Sequence, residues 1–138
     1  MQQNFLMVKK RVMIDVVCGI IFKSGKVFIA RRRPDKSLGG YWEFPGGKIE
    51  LEETNEEGLK RELREELGME VEVTTFIAEN EHEYDTFKIR LIAYHCKFQS
   101  ATMNMTDHDA FEWVSIQDLE HYRLAPADIP LIQYVRLL

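Results

Sequence analysis

The sequence contains no apolar run long enough to cross a membrane as a helix. Its longest apolar stretch, Val16 to Phe22, has seven residues, whereas a transmembrane helix needs about 20. Asp15 interrupts the early apolar region, and no small-residue cleavage site follows it, so no secretory signal peptide is expected. These features favour a cytoplasmic protein without a membrane partner.

The sequence also has few cysteines and no excess of basic residues. Only Cys18 and Cys96 are present, and both lie in apolar, strand-like runs. They are interpreted as buried free thiols in a reducing cytosol, with a disulfide or a metal pair as alternatives that no other residue supports. The formal net charge of −5 predicts no general attraction to nucleic acid polymers or anionic membranes. An anionic substrate would therefore need a metal ion and local basic residues.

The remaining composition predicts one globular domain over residues 1–138. Hydrophobic residues make up 45% and charged residues 30%, which is ordinary for a soluble domain with its own core. The order βββ-α-β-β-β-α predicts a mixed sheet with helices packed on it. After a loose start at 1–7, strands are predicted at 8–22, 27–30, 42–44, 69–78, 88–98 and 110–114. A turn is predicted at 45–47, a polar connection or strand end at 79–87, a loop at 99–109, a helical turn at 115–119 and a helix at 128–138.

The helix in the middle of the chain has clear end signals. Thr54 is expected to be its N-cap, and Glu57, three residues later, completes a capping box. Gly68 is expected to lie just past its C-terminus. Between them lie about 13 residues, enough for three to four turns.

This helix carries an unusual group of carboxylates. Three leucines recur every four residues and form an apolar stripe: Leu59, Leu63 and Leu67. Three glutamates share the neighbouring stripe: Glu62, Glu65 and Glu66. Like charges at these spacings destabilise a helix by roughly 0.2–0.5 kcal/mol per pair, and only Arg61 is well placed to pair with one of them. The group predicts a site for a divalent cation such as Mg²⁺, with a solvated acidic face as the alternative.

The spacing of these residues resembles the Nudix box, over residues 47–69, at every fixed position. The matching positions are Gly47, Glu53, Arg61, Glu62, Leu63, Glu65, Glu66, Gly68 and the apolar Met69. The segment from Trp42 to Lys48 resembles the lead-in of MutT-type nucleoside triphosphate pyrophosphohydrolases. The run from Leu124 to Leu131 resembles the bacterial CTP pyrophosphohydrolase branch of that family. The resemblance implies a Nudix α/β/α sandwich, with a mixed sheet flanked by helices.

The resemblance also implies a metal-dependent reaction. Nucleoside triphosphates would be split into a monophosphate and pyrophosphate with Mg²⁺, or with Mn²⁺ as the alternative ion. The implied metal ligands are Glu62, Glu65, Glu66, the backbone carbonyl of Gly46, and Asp107. Asp107 lies six residues before Trp113, where the family usually has Glu. Arg61 and Glu53 would pair and hold the box in shape, and Glu62 is favoured as the general base.

Three positions are expected to contact the substrate. Arg32, in the run Arg31 to Arg33, offers a guanidinium fork suited to phosphate, unless this run is only solvated surface. Phe44 is expected to contact the base. Asp128 occupies the place of a MutT asparagine that reads oxidised guanine. An ionised carboxylate accepts hydrogen bonds but donates none, which suits the amino group of cytosine or of guanine better than a carbonyl edge. The resemblance of the Leu124–Leu131 run favours cytosine nucleotides, including modified ones. Alternatively, Asp128 only caps the last helix.

Several alternatives for the function stay open at this point. The first class is a MutT-type pyrophosphohydrolase, which would act on CTP-type nucleotides or, alternatively, on 8-oxo-dGTP. A Nudix hydrolase of another nucleoside diphosphate derivative is the second class, and a non-catalytic nucleotide sensor is the third. The intact carboxylate set disfavours a sensor. Each histidine is expected to have a surface or core role, with His108, beside Asp107, as the best exception. The sequence is compatible with a monomer or a homodimer.

Overall fold

A computed structural model describes residues 12–138, so the predicted loose start at 1–7 and the predicted strand residues 8–11 lie outside the described residues. The strands are β1 (Val12–Lys23), β2 (Lys26–Arg32), β3 (Trp42–Glu43), β4 (Gly46–Lys48), β5 (Met69–Glu83), β6 (Phe87–Ala101) and β7 (His108–Ser115). The α-helices are α1 (Asn55–Leu67) and α2 (Ile132–Val135), and two 3-10 helices span Ile116–His121 and Ile129–Leu131.

The strands of this described region form one mixed sheet. The strand order is β3-β2-β1-β6-β5, while β4 also pairs with β1 and β7 with β2. Strands β1 and β6 run parallel, and the other pairs are antiparallel. The predicted hairpin between β1 and β2 is confirmed, with Phe22 opposite Val27. The sheet with helices on both faces confirms the predicted α/β/α sandwich.

The two faces of the sheet carry two separate hydrophobic cores. Because successive strand residues point to opposite faces, β1 contributes Val17 to one core and Cys18 to the other. The first core buries the predicted apolar stripe of α1 completely: Leu59, Leu63 and Leu67. The second core contains side chains from the C-terminal segments: Leu119, Leu131 and Val135. Cys18 and Cys96 are buried free thiols, as predicted.

Helix α1 begins and ends where the sequence predicts. The Glu57 N–H donates to Thr54 Oγ1 at 3.1 Å, and the Thr54 N–H donates to Glu57 Oε1 at 2.9 Å. Gly68 has a φ of 57°, a left-handed conformation that glycine adopts without steric cost. These caps fix where α1 begins and ends, whereas the buried leucine stripe fixes its rotation and therefore the direction in which its glutamates point.

The predicted helix over 128–138 is confirmed only in part, because the helical residues span 129–135 and are not one regular α-helix. Residues 129–131 form a 3-10 turn, and α2 has only four residues. The chain just before this turn is held by β3, where the Ala125 N–H donates to Trp42 O at 2.8 Å. No helix within residues 12–138 has both the length and the apolar character that would let it span a bilayer. That residues 1–138 form one domain stays a prediction.

The predicted turn at 45–47 is also wrong, and the difference bears on the site. Gly46–Lys48 form β4, in which Gly46 pairs with Cys18 and Gly47 with Val17. A Cβ on Gly46 would overlap the Val17 carbonyl oxygen, so only glycine allows this close pairing. The predicted loop at 99–109 and connection at 79–87 are shorter than expected, because β5 and β6 pair from Met69–Ala101 to Glu83–Lys88.

Candidate active site

A cavity of about 700 Å³ brings most of the predicted site residues together. Its acidic and glycine-rich wall comes from β3, β4, α1 and the loop before β7: Glu43, Gly46, Gly47, Glu62, Glu65, Glu66 and Asp107. Its largely apolar wall comes from β1, β6 and the connections near β5 and α2: Ile14, Val16, Phe44, Tyr84, Phe87, Ile89, Leu91, Ala125, Ala127 and Asp128. The two walls give a polyanion and an aromatic base separate surfaces in one cavity.

The carboxylates of α1 face this cavity as a group. Glu62, Glu65 and Glu66 all line it, as their shared stripe predicts. Burial raises the pKa of Glu66, and the nearby carboxylates of Glu62, Asp107 and Glu43 raise it further. The group therefore concentrates negative charge at a partly buried position, which favours either protonation or a bound cation.

Arg61 and Glu53 lie behind this wall and form the predicted pair. Arg61 Nε is 2.6 Å from Glu53 Oε2, and Arg61 Nη2 is 2.9 Å from Glu53 Oε1. This bidentate contact, with the N–H of Glu50, lowers the pKa of Glu53 to about 2. Arg61 Nη1 is also 3.1 Å from both Glu62 Oε1 and Glu65 Oε2. One guanidinium thus fixes the loop before α1 and neutralises part of the glutamate group.

Glycine at position 47 is required by the position of Glu62. A Cβ on Gly47 would overlap the Glu62 carboxylate, so that carboxylate lies directly against the backbone of β4. The Glu62 side chain is 14% exposed. Because β4 is fixed by its pairing with β1, the sheet and α1 together set the place of Glu62.

Asp107 lines the same cavity as the glutamate group although its side chain is shorter than the usual Glu. Its loop is tied to α1, since the Thr106 N–H donates to Glu66 O at 3.2 Å. The Arg33 N–H donates to Asp107 O at 3.0 Å, and Lys36 Nζ is 3.4 Å from Asp107 Oδ1. These backbone contacts bring Asp107 close enough to raise the pKa of Glu66.

The donor chemistry of this wall fits a hard divalent ion. Within residues 12–138, no three His, Cys, Asp or Glu side chains are arranged to hold a metal ion as they stand, and Arg61 Nη1 lies between Glu62 and Glu65. The cavity has six carboxylates: Glu43, Glu62, Glu65, Glu66, Asp107 and Asp128. It has two cationic side chains: Arg32 and Lys48. Oxygen donors and this charge excess suit Mg²⁺ or a similar ion.

Of the three consecutive arginines, Arg32 lines the cavity and the other two form ion pairs elsewhere. Arg31 Nε is 2.8 Å from Asp109 Oδ1, and Arg33 Nε is 3.1 Å from Asp35 Oδ1. Arg32 Nε donates to the Ser37 carbonyl at 2.6 Å, and its Nη1 is 3.3 Å from Glu43 Oε2. Arg32 is thus held in place at the acidic wall.

Phe44 and Asp128 meet in the largely apolar wall. Both are buried, and the Phe44 N–H donates to Asp128 Oδ2 at 2.9 Å. The alternative that Asp128 caps the last helix is wrong, because its side chain makes no capping bond and its backbone is helical, with φ −85°. Burial raises the pKa of Asp128, and so does the Glu43 carboxylate. A protonated carboxyl group can donate as well as accept, so the argument from an ionised Asp128 does not by itself select cytosine.

One carboxylate of the cavity was not assigned from the sequence, and its partner was named only as the best exception among the histidines. Glu43 lies in the Trp42–Lys48 segment, yet nothing in that pattern showed that its carboxylate would join the acidic wall. His108 is buried, as expected for a core histidine, and its Nε2–H donates to Glu43 Oε2 at 2.7 Å. Among the residues that the structure describes, His108 Nδ1 has no hydrogen-bond partner. The contact between these residues, 65 positions apart, has no local sequence signal.

The family model of the NUDIX domain matches residues 16–134. The chain belongs to the Nudix family. The CTP pyrophosphohydrolase of Escherichia coli (strain K12) is 41% identical to it over 121 residues, which cover 88% of this chain and 90% of that relative. The 8-oxo-dGTP diphosphatase of Proteus vulgaris is 42% identical over 87 residues, or 62% of this chain and 76% of the relative.

A solved structure supports the same assignment. The solution structure of the E. coli ORF135 protein matches this Nudix chain with a TM-score of 0.78 and 39% identity, covering 93% of this chain and 91% of that one. The protein is therefore a Nudix hydrolase, as the resemblance implied. Nudix hydrolases act with divalent metal ions, which agrees with the oxygen donors of the acidic wall.

Proposed function

We propose that this Nudix hydrolase splits nucleoside triphosphates into a monophosphate and pyrophosphate, with CTP-type nucleotides, including modified ones, as its substrates. The observation that carries the proposal is that one cavity joins the glutamates of the Nudix box to the buried Phe44–Asp128 pair. The acidic wall would take the phosphates with their metal ion. The apolar wall would take the base.

The metal ion in this proposal is Mg²⁺, with Mn²⁺ as the alternative. The residues that would hold it are Gly46, through its carbonyl oxygen, and the carboxylates of Glu62, Glu65, Glu66 and Asp107. When bound, such an ion neutralises phosphate charge, lowers the pKa of a bound water and orients the leaving group. Arg61 Nη1 now neutralises Glu62 and Glu65 at 3.1 Å, so these carboxylates would exchange one cationic partner for another.

Side chains of the protein would supply the general base and a contact to the phosphates. Glu62 would accept the proton of the attacking water, a role worth about 10²–10⁴-fold in rate. Its carboxylate is positioned by Gly47 on one side and Arg61 on the other. Arg32, fixed by the Ser37 carbonyl and Glu43, would contact the phosphates. Glu53 would act only by holding Arg61.

The base preference is the finer part of the proposal. Identity over most of both chains to a CTP pyrophosphohydrolase supports cytosine nucleotides. The second candidate is 8-oxo-dGTP, and a specific observation favours it. Burial raises the pKa of Asp128, so this group could donate a hydrogen bond to a carbonyl on the base edge. A carboxylate would instead accept from an amino group.

A nucleotide panel with Mg²⁺, assayed for pyrophosphate, tests the reaction. It should contain CTP, dCTP, 8-oxo-dGTP and nucleotide sugars. We expect pyrophosphate from the triphosphates. Hydrolysis of the sugars alone would favour another Nudix substrate class, and no turnover at all would favour a sensor. In oxygen-18 water, attack at the middle phosphorus should label pyrophosphate. Orthophosphate with a nucleoside diphosphate as products would contradict the proposal.

A further inference from the structure

The backbone of Ala127, the residue just before Asp128, is held at both its N–H and its carbonyl by side chains from the β5 region. The Ala127 N–H donates to Tyr84 Oη at 3.2 Å. The Ala127 carbonyl accepts from Asn80 Nδ2 at 3.1 Å. Asn80 and Tyr84 are four residues apart, a spacing that places side chains on the same side of an extended chain. The two contacts therefore fix the backbone that presents Asp128.

Only one of these two partners reaches the cavity. Tyr84 lines it together with Ala127 and Asp128, whereas Asn80 does not. The Tyr84 ring packs against two other rings, with its centroid 4.5 Å from that of His82 and 5.2 Å from that of Phe87. The Tyr84 N–H also donates to Phe87 O at 2.8 Å. The hydroxyl is therefore held at a defined place in the largely apolar wall.

The Tyr84 hydroxyl can still donate its own proton in a hydrogen bond. Its oxygen accepts from Ala127, but within residues 12–138 no acceptor for its own proton is found. Burial raises the pKa of Tyr84, as do the carboxylates of Asp128 and Glu43. The hydroxyl therefore keeps its proton at neutral pH and can donate it to a molecule in the cavity.

We infer that the Tyr84 hydroxyl is a second base-contacting group, which donates to the ring nitrogen N3 of a cytosine nucleotide while Asp128 accepts from the neighbouring amino group. The inference rests on the proposed function and deepens it. Cytosine presents an amino donor beside a ring acceptor, whereas the pairing edge of 8-oxoguanine presents a carbonyl acceptor and an amino donor, both beside a ring N–H donor. The Tyr84 hydroxyl as donor and the neighbouring Asp128 carboxyl group as acceptor match the cytosine edge. The amino group of a bound cytosine would favour the ionised form of Asp128.

The test changes both the protein and the base. Tyr84→Phe keeps the ring and removes the hydroxyl, and Asn80→Ala is the matched control because it removes the other side-chain partner of the Ala127 backbone. The kcat/KM values for CTP and for 3-deazacytidine triphosphate, which has C–H in place of N3, are compared in wild type and both variants. Binding of CMP and 3-deazacytidine monophosphate gives the same comparison without turnover, and thermal melts check folding.

The wild type should prefer CTP over the 3-deaza analogue by about 10-fold, the usual effect of one lost hydrogen bond in a binding site. Tyr84→Phe should lose this preference, and Asn80→Ala should keep it. An unchanged preference in Tyr84→Phe, equal loss in both variants, or no preference in the wild type would overturn the inference. Failure of the proposed function would instead show as no pyrophosphate from any triphosphate, while the monophosphate binding still decides the role of Tyr84.

Discussion

The Phe44 N–H donates to Asp128 Oδ2 across 2.9 Å, and this bond joins residues 84 positions apart in the chain. Phe44 directly precedes Pro45 and β4, and Gly47 of β4 lies against the Glu62 carboxylate. Asp128 lies in the C-terminal segment that completes the apolar wall of the cavity. The bond therefore fixes the proposed base site relative to the proposed metal site, which is what in-line attack on a particular phosphorus requires.

Asp128→Asn should change the choice of base more than it changes stability. The asparagine carbonyl can still accept from the Phe44 N–H, so the fold should be kept, but its amide can no longer ionise. We expect the ratio of kcat/KM for CTP to that for 8-oxo-dGTP to shift by about 10-fold or more, as for a changed hydrogen-bond partner in a buried site. Asp118→Asn, in the exposed 3-10 helix, is the control. An unchanged ratio would show that Asp128 does not read the base.

Gly47→Ala should lower activity through Glu62. The added Cβ would overlap the Glu62 carboxylate, so this side chain must leave the acidic wall. We expect a loss of about 10–100-fold in activity, the usual effect of disturbing a metal-ligand shell. Gly25→Ala is the control, because its φ of 76° costs about 1 kcal/mol of stability far from the site. Equal activity in the two variants would argue against this placement of Glu62.

Glu65→Gln and Glu66→Gln should each weaken metal binding. Replacing a carboxylate of the acidic wall should cost about 10–100-fold or more in turnover at saturating Mg²⁺. It should also reduce the rise in Tm that Mg²⁺ produces in the wild type. Glu56→Gln, in the first turn of α1, provides the comparison for a glutamate outside the cavity. Near wild-type turnover in both variants would rule out a shared metal site.

The Arg61–Glu53 pair should make stability depend on pH in the acid range. The pKa of Glu53 is about 2 in the fold, against 4.5 ordinarily. The unfolded chain therefore binds the proton more readily, so the contribution of Glu53 is fully present above pH 4.5 and is lost as the pH falls toward 2. In the absence of metal, the free energy of unfolding of the wild type should fall more steeply over this window than that of Glu53→Gln.

Arg61→Gln is the matched variant for this measurement. Because Arg61 is the main cause of the lowered pKa, its removal should flatten the same acid dependence. Urea unfolding at several pH values between 2 and 5 would give the curves. Identical acid dependence in the wild type and in both variants would mean that the pair does not contribute to the stability of the fold.

Several elements could be predicted from the sequence because their causes are local. The caps of α1 depend on side chains within three residues of the helix ends, and both are present as expected. The leucine stripe and the glutamate stripe follow from the helical period alone, and both face the surfaces that the period predicts. The Arg61–Glu53 contact came from the family resemblance, and the structure confirms the contact itself.

The errors occurred where long-range contacts override local preference. Gly46 and Gly47 form a strand because β1 offers an unpaired edge to them, although two glycines after a proline ordinarily favour a turn. Residues 128–138 have a helical pattern, yet the bonds of Ala125, Ala127 and Asp128 to β3 and β5 hold the preceding chain in another path.

By itself, the sequence determined the Nudix box, the position and rotation of α1, and the carboxylates that would bind a metal ion. Only the tertiary structure decided which groups Asp128, Tyr84, Glu43 and His108 contact. Their partners lie 43 to 84 positions away, and a hydrogen bond between such residues leaves no periodic trace in the chain. The tertiary structure also buries Asp128, which raises its pKa, and burial depends on the packing of the whole domain.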